Sequence, residues 1–184
     1  TYSREEISNR NNKLIKERIR TKNGYQLFLT LLLPIGSDYN DPHYFSLCMQ
    51  RFGTWFKNRF KHGYADYWFE LSNTDMLHSH LNIHTGESSI DIKAIENECY
   101  LKWTSIVKDD CKKLCKATQF NKYQLGYMAK KAKRSRSYDL MNMFQHKKTY
   151  GTYNKQSKEY IQAHLIEIDD KQKKRLEEYF IAKM

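Results

Sequence analysis

An almost continuous apolar run, Tyr25–Leu33, is the feature that most limits how this chain can fold. Gly24 and Pro34 bound the run, and both residue types commonly interrupt regular structure. A short apolar run with such boundaries is typical of a β-strand that is buried on both faces. We therefore expect a sheet in which the segment Leu27–Leu33 is a central strand.

Helix-like and strand-like patterns alternate after this run. In His43–His62, which follows Pro42, apolar residues, most of them aromatic, recur at three- and four-residue steps, as on an amphipathic helix that packs on a sheet. Tyr64–Ser72 and Leu77–Thr85 alternate in the manner of strands, and the tight connection between them predicts an antiparallel hairpin. This alternation indicates an α+β layer fold.

The C-terminal half of the chain gives weaker patterns. Helical spacing covers Ile90 to about Lys116 and leaves room for a short strand whose position it does not fix. Further helices are predicted over Asn121–Lys133, Tyr138–Phe144 and Tyr160–Met184, with a polar loop over Lys147–Lys158.

The net charge of the chain limits which classes of binding partner are expected. It has 32 Lys+Arg against 21 Asp+Glu, a net charge of +11, which favours nucleic acids or anionic membrane surfaces as partners. A solvated basic surface with no partner would give the same composition. The chain has neither an apolar stretch of about 18 residues, the minimum for a membrane span, nor an apolar signal sequence. From these two absences we expect a soluble, intracellular protein. The chain also lacks an initiating Met, so we expect it to be trimmed.

The four cysteines do not form a recognisable framework. They have no CxxC spacing, which argues against both a disulfide scaffold and a complete zinc site. Cys111 and Cys115 share one face of a predicted helix, where buried thiols in a reducing compartment are a simpler explanation than half of a metal site.

The motif E-x7-H-x-H, formed by Glu70, His78 and His80, offers metal ligands. Residues i and i+2 of a strand point to the same side, so the two imidazoles should project together. A hairpin would bring Glu70 on the preceding strand to both of them. Such a set leaves positions open on Mg²⁺, Mn²⁺ or Zn²⁺ for a phosphate oxygen. The alternative is a half-buried strand whose histidines form hydrogen bonds or face solvent.

A second motif, Y-x2-K, is formed by Tyr127 and Lys130 on one face of a predicted helix. A phenol has a pKa near 10 and attacks a phosphate poorly unless the phosphate is polarised and held in line. The Lys130 ammonium could hold the phosphate or stabilise charge on the phenolate. Alternatively, the tyrosine packs the helix and the lysine is solvated, as in many chains with this pattern.

The order of these motifs resembles that of HUH-type rolling-circle replication initiators. The spacing is most similar to the Rep endonuclease domains of CRESS-DNA viruses and related plasmids, over about residues 24–140. In that family the first motif is a strand, here near Phe28–Thr30. The second supplies ligands for Mg²⁺ or Mn²⁺, which the resemblance assigns to Glu70, His78 and His80.

The third motif of the family carries the nucleophile, which the resemblance assigns to Tyr127, with Lys130 as its lysine. One residue departs from the family pattern: Ser79 stands between the histidines, where a bulky hydrophobic residue is usual. Because it should point away from the metal, the ligand set is retained.

The resemblance implies a function in DNA replication. The protein would nick and join single-stranded DNA at an origin stem-loop through a covalent 5′-phosphotyrosine and so start rolling-circle replication. Four basic residues after the nucleophile would contact the DNA: Lys131, Lys133, Arg134 and Arg136. The same run could be a nuclear-import signal or a solvated turn. Trp68 could stack a base near the scissile phosphate, although core packing is the more common role of such a Trp.

Together these observations predict a single domain over residues 1–184. Residues 1–23 would be an N-terminal extension, 24–140 the core that bears the motifs, and 141–184 a helical tail. We expect a central antiparallel sheet of about five strands with helices packed outside, as in HUH endonucleases. The protein should be a monomer or weak oligomer, in the host nucleus if viral and otherwise in the cytoplasm. No GxxxxGK[ST] loop is present, so a helicase domain is either missing from this chain or absent from the protein.

Three other functions fit parts of the same pattern. A single-tyrosine HUH transposase would use the same chemistry on hairpin-flanked element ends. A relaxase usually has a third histidine, and His84 lies too far along its strand to supply one. A non-catalytic basic module that binds RNA or DNA would carry the histidines incidentally.

Overall fold

The computed structural model of the chain describes residues 25–34, 41–72, 74–109, 114–120, 136–145 and 149–163. The described residues form an α+β fold built on a five-stranded antiparallel sheet. The predicted fold class is therefore confirmed. No helix in these ranges is long and apolar enough to cross a membrane.

The strands are β1 (Leu27–Leu32), β2 (Tyr64–Leu71), β3 (Leu77–His84), β4 (Cys115–Gln119) and β5 (Tyr150–Tyr153). Their order across the sheet is β4-β1-β3-β2-β5, and every neighbouring pair is antiparallel. The middle strand is thus β3, which carries the histidines. The apolar strand β1, predicted to be a central strand, is an interior strand between β4 and β3.

The helices are α1 (Pro42–Arg59), α2 (Ile92–Val107) and α3 (Arg136–Met143), and residues 155–163 are also helical. Both long helices start at an aspartate that caps them. The Asp41 carboxylate accepts hydrogen bonds from the backbone of His43 and Tyr44, and Asp91 does the same for α2. Such caps satisfy N–H groups that have no partner inside the helix, so they fix where each helix begins.

The sheet has one apolar face, which packs on α1 and α2. Alternate residues of β1 are fully buried there, while Phe28, Thr30 and Leu32 are only partly buried on the opposite face. The prediction that this strand is buried on both faces was therefore wrong in detail. The core between sheet and helices is rich in rings: Phe45, Phe52, Phe56, Phe69 and Trp103.

Two predicted segments differ from the structure. The stretch Lys147–Lys158, predicted as a loop, contains β5, because Tyr150–Tyr153 pairs with β2 at the sheet edge. The helical pattern from Ile90 left room for a short strand, and the structure places it: α2 ends at Val107 and β4 begins at Cys115. Cys115 therefore lies on a strand rather than on the predicted helix. Of the other thiol, Cys111, nothing is described.

The second sheet face, which we call the site face, carries polar and aromatic side chains. It consists of alternate residues of the three inner strands: Phe28, Thr30 and Leu32 of β1, His78, His80, Asn82 and His84 of β3, and Tyr64, Asp66, Trp68 and Glu70 of β2. The register places Glu70 opposite His78 and Trp68 opposite His80. The hairpin predicted from the sequence is therefore confirmed.

Candidate metal centre

Glu70, His78 and His80 converge at one end of the site face. The Oε2 atom of Glu70 lies 3.3 Å from Nε2 of His78 and 3.4 Å from Nε2 of His80. All three ligand atoms lie within 4.8 Å of one another. Because adjacent ligands at about 2.1 Å from a cation stand about 3.0–3.4 Å apart, the group could hold a divalent metal ion with little adjustment.

The group is largely shielded from water. His78 and His80 are 8% and 9% exposed, and the Glu70 side chain is 13% exposed. A carboxylate and two imidazole nitrogens that face one another in such a place attract a proton or a metal cation. The three side chains could therefore hold a metal ion, and they do not by themselves identify the metal.

Hydrogen bonds on the far side of each imidazole orient the ring. His78 Nδ1 lies 3.3 Å from the backbone oxygen of Met76, which can only accept, so Nδ1 carries the proton. His78 therefore turns Nε2, the nitrogen that could bind a metal ion, toward the carboxylate of Glu70. His80 Nδ1 lies 3.0 Å from Oγ1 of Thr30, and a proton on Nδ1 again leaves Nε2 as the metal ligand.

Trp68 lies beside the group on β2. Its ring is 7% exposed, and its Nε1–H donates a 3.0 Å hydrogen bond to Oε1 of Glu70. The ring also contacts His80, at 5.6 Å between centroids, and Phe28, at 6.0 Å. Trp68 is therefore a buried side chain that contacts Glu70 and His80 rather than an exposed ring.

Ser79, which departs from the family pattern, faces the opposite side of the sheet. It is fully buried, and its hydroxyl donates a 3.0 Å hydrogen bond to the backbone oxygen of Trp68. The polar atom is thus satisfied across the hairpin. Its side chain therefore lies on the face opposite the candidate metal ligands.

His84 lies away from the group, as the sequence suggested. Its ring stacks on Tyr64 at 5.7 Å between centroids, and its Nδ1 accepts a 3.0 Å hydrogen bond from the Gly86 backbone. Burial lowers the pKa of His84. These contacts indicate a structural role for a neutral imidazole.

A second polar cluster, around Asp66, was not predicted from the sequence. Asp66 is 3% exposed and accepts hydrogen bonds from the hydroxyls of Tyr25 and Thr152. Lys158 Nζ lies 2.8 and 2.7 Å from its two oxygens. The cluster ties residues 155–163 to β2. Because its members are far apart in sequence, only the tertiary structure reveals the cluster.

Most of the remaining predicted site residues lie outside the described residues. These are Tyr127, Lys130, Lys131, Lys133 and Arg134. Arg136 starts α3, but its side chain is not among those described. The candidate metal ligands and Trp68 are therefore the predicted site residues whose side chains the structure describes.

Comparisons of the chain with protein-family models, with curated proteins and with solved structures found no match.

Proposed function

We propose that this protein is a metal-dependent enzyme that nicks and joins single-stranded DNA at a replication origin. The observation that carries the proposal is the convergence of Glu70 Oε2 with the Nε2 atoms of His78 and His80. The order of the sequence motifs supplies the rest, since it resembles HUH-type replication initiators.

The charge of the protein supports a phosphate-bearing substrate. Two imidazoles and a carboxylate also suit Zn²⁺ or Fe²⁺, so the ligands alone do not choose a reaction. A net charge of +11 favours a polyanion, and with it Mg²⁺ or Mn²⁺. Bound here, such an ion would polarise the scissile phosphate and hold it in line for attack.

Tyr127 is the proposed nucleophile. Its phenolic oxygen would attack the phosphorus, the bond from phosphorus to the 3′ oxygen would break, and the phenolic proton would pass to that oxygen. The 5′ end would remain on Tyr127 and the released 3′-OH would prime synthesis. The reverse exchange would rejoin the strand without another energy source, because one phosphodiester replaces another. Lys130 would stabilise charge on the phenolate or the phosphate.

A gel assay with an origin-like hairpin oligonucleotide tests the proposal. We expect Mn²⁺- or Mg²⁺-dependent cleavage and a covalent protein–DNA adduct that is lost in Tyr127→Phe. Tyr123→Phe, four residues earlier on the same predicted helix, is the matched control and should keep the adduct. His80→Ala should abolish cleavage.

Each result of the assay has a definite meaning. DNA binding with no adduct, across a panel of hairpins and the four metals named above, would point to a non-catalytic nucleic-acid-binding module and contradict the proposal. Cleavage that survives in Tyr127→Phe would indicate hydrolysis by water instead. Cleavage confined to hairpins at both ends of an element would favour a transposase.

A further inference from the structure

We infer that Trp68 is a positioning residue that limits Glu70 to one metal-binding oxygen and thereby keeps coordination positions open for substrate. The inference deepens the proposed function, because it assumes that Glu70, His78 and His80 bind a metal ion. It assigns Trp68 a role in the metal centre instead of base stacking.

The two oxygens of Glu70 have different partners. Oε1 accepts the hydrogen bond from Trp68 Nε1, at 3.0 Å, whereas Oε2 is the oxygen turned toward the two imidazoles. Trp68 and Glu70 are two residues apart on β2, so their side chains leave the same face of the sheet. The strand itself therefore places the indole beside the carboxylate.

The indole is held firmly in this position. It is 7% exposed and packs against the rings of Phe28 and His80. Loss of the acceptor of a buried indole N–H is unfavourable, because water does not replace the hydrogen bond that is given up. Rotation of Glu70 to offer both oxygens to a metal would break this bond, so the carboxylate should bind through Oε2 alone.

The number of Glu70 oxygens that bind the metal ion decides how many of its coordination positions remain open for substrate and water. Mg²⁺ and Mn²⁺ take about six ligands, and a carboxylate can supply one or two of them. With one oxygen from Glu70 and two histidines, about three positions stay open for phosphate oxygens and water. A second oxygen from Glu70 would close one of them.

Water relaxation on the Mn²⁺-loaded protein measures these positions directly. We expect Trp68→Phe, which keeps an aromatic ring but removes the N–H, to bind Mn²⁺ with about one-third fewer exchanging waters than the wild type, because Glu70 then chelates. Trp55→Phe is the matched control. The Trp55 ring, on α1, packs on Phe52 and Phe60 behind the other sheet face, so this substitution should leave the water count unchanged.

A rescue experiment separates the N–H from simple packing. In Glu70→Gln the indole N–H should hold the amide oxygen at the Oε1 position and turn the NH₂ group toward the metal, so Mn²⁺ binding should be lost. In Glu70→Gln/Trp68→Phe the amide can rotate and offer its oxygen. We expect the double variant to bind Mn²⁺ at least tenfold more tightly than Glu70→Gln, about 1.4 kcal/mol, which a packing role would not produce.

The outcomes distinguish the two proposals. A wild-type protein that binds no Mn²⁺ would remove the metal centre and this inference with it. If the wild type binds Mn²⁺ in a manner that depends on His80, but Trp68→Phe keeps its water count and the double variant shows no rescue, only the role of Trp68 is refuted.

Wild-type protein alone provides a further test if Trp68→Phe fails to fold. In ¹⁵N NMR the Trp68 indole proton should stay downfield and exchange slowly when Mg²⁺ saturates the site. A shift to the position of an unbonded indole would show that Glu70 turns both oxygens to the metal, and would overturn the inference.

Discussion

Thr30 connects β1 to the candidate metal centre through one hydrogen bond, 3.0 Å long, to Nδ1 of His80. Loss of such a partner typically lowers metal affinity 10- to 100-fold, because the ring is no longer held in the right tautomer and orientation. We expect Thr30→Val, which is nearly isosteric, to weaken Mn²⁺ binding by about tenfold in calorimetry. Thr118→Val, on the neighbouring strand β4, is the control and should keep full affinity. Equal affinity in both variants would show that Thr30 does not orient His80.

His84 should make the fold sensitive to acid. Burial lowers its pKa, and its Nδ1 must be unprotonated to accept the hydrogen bond from Gly86. The unfolded chain, with an ordinary His pKa near 6.5, therefore takes up the proton first. The contribution of the neutral His84 to the free energy of unfolding is therefore fully present above about pH 6.5 and is lost as the pH falls below that value.

We expect the wild type to lose more free energy of unfolding than His84→Phe between about pH 7.5 and about pH 5.5 in urea titrations. Phe keeps the stacking on Tyr64 and has no proton to gain, so the difference between the two proteins isolates this residue from the other six of the seven histidines. Parallel pH curves for the two proteins would contradict the assignment.

At the scale of elements, the Asp66–Lys158 pair joins residues 155–163 to β2. The side chains of Asp66 and Lys158 are 5% and 20% exposed. Removal of one partner of such a pair leaves a buried charge, which costs about 3–5 kcal/mol. We expect Lys158→Met to lower the free energy of unfolding by about 3 kcal/mol, near the low end because the lysine is partly exposed.

The same helical segment provides the control for this prediction. Lys155 forms an exposed pair with Glu159, at 79% and 63% exposure, so Lys155→Met should change stability by less than about 0.5 kcal/mol. Asp66→Asn/Lys158→Met removes both charges and should recover most of the loss. Equal effects of the two lysine substitutions would mean that the Asp66 pair contributes no more than a surface pair.

The elements differ in how far the sequence predicts them. The hairpin of β2 and β3 was predictable because its side chains alternate strictly and its connection is short, so the register that pairs Glu70 with His78 follows from local pattern. The edge strand β5 was not predictable from the sequence. Tyr150–Tyr153 has only four residues in a polar stretch, and it forms a strand by pairing with β2. Its packing also depends on distant contacts: Tyr153 fits against Gly53, where a Cβ atom would lie 2.4 Å from the ring.

The hydrogen-bond partners of the candidate metal ligands could not be predicted from the sequence either, because they also depend on tertiary contacts. The contact between Thr30 and His80 requires the pairing of β1 with β3, which no local pattern reports. Trp68 was assigned to base stacking or core packing, because its bond to Glu70 depends on side-chain rotamers. Periodicity thus predicted which face the ligands share, whereas tertiary pairing decides what orients them.

For the whole molecule, the sheet separates two tasks. One face packs on α1 and α2 and buries the large aromatic core, while the other presents the candidate metal centre and the Asp66 cluster. A site on a rigid sheet can hold its ligands more accurately than one built on loops. In the proposed function, the net charge of +11 would attract the DNA backbone to the molecule.

The salt dependence of DNA binding tests where that charge acts. Binding of single strands should weaken with salt, with a slope of log K against log salt of about −0.7 per neutralised phosphate. If the basic run contacts DNA, changing its four members, Lys131, Lys133, Arg134 and Arg136, to Gln should reduce that slope by up to about 3. The control removes equal charge from α1 and α2 through Arg51, Lys57, Lys93 and Lys102, which are at least partly exposed. Because these helices cover the opposite face of the sheet, the control variant should keep the wild-type slope. An equal loss of slope in both variants would show that the positive charge acts diffusely rather than through the basic run.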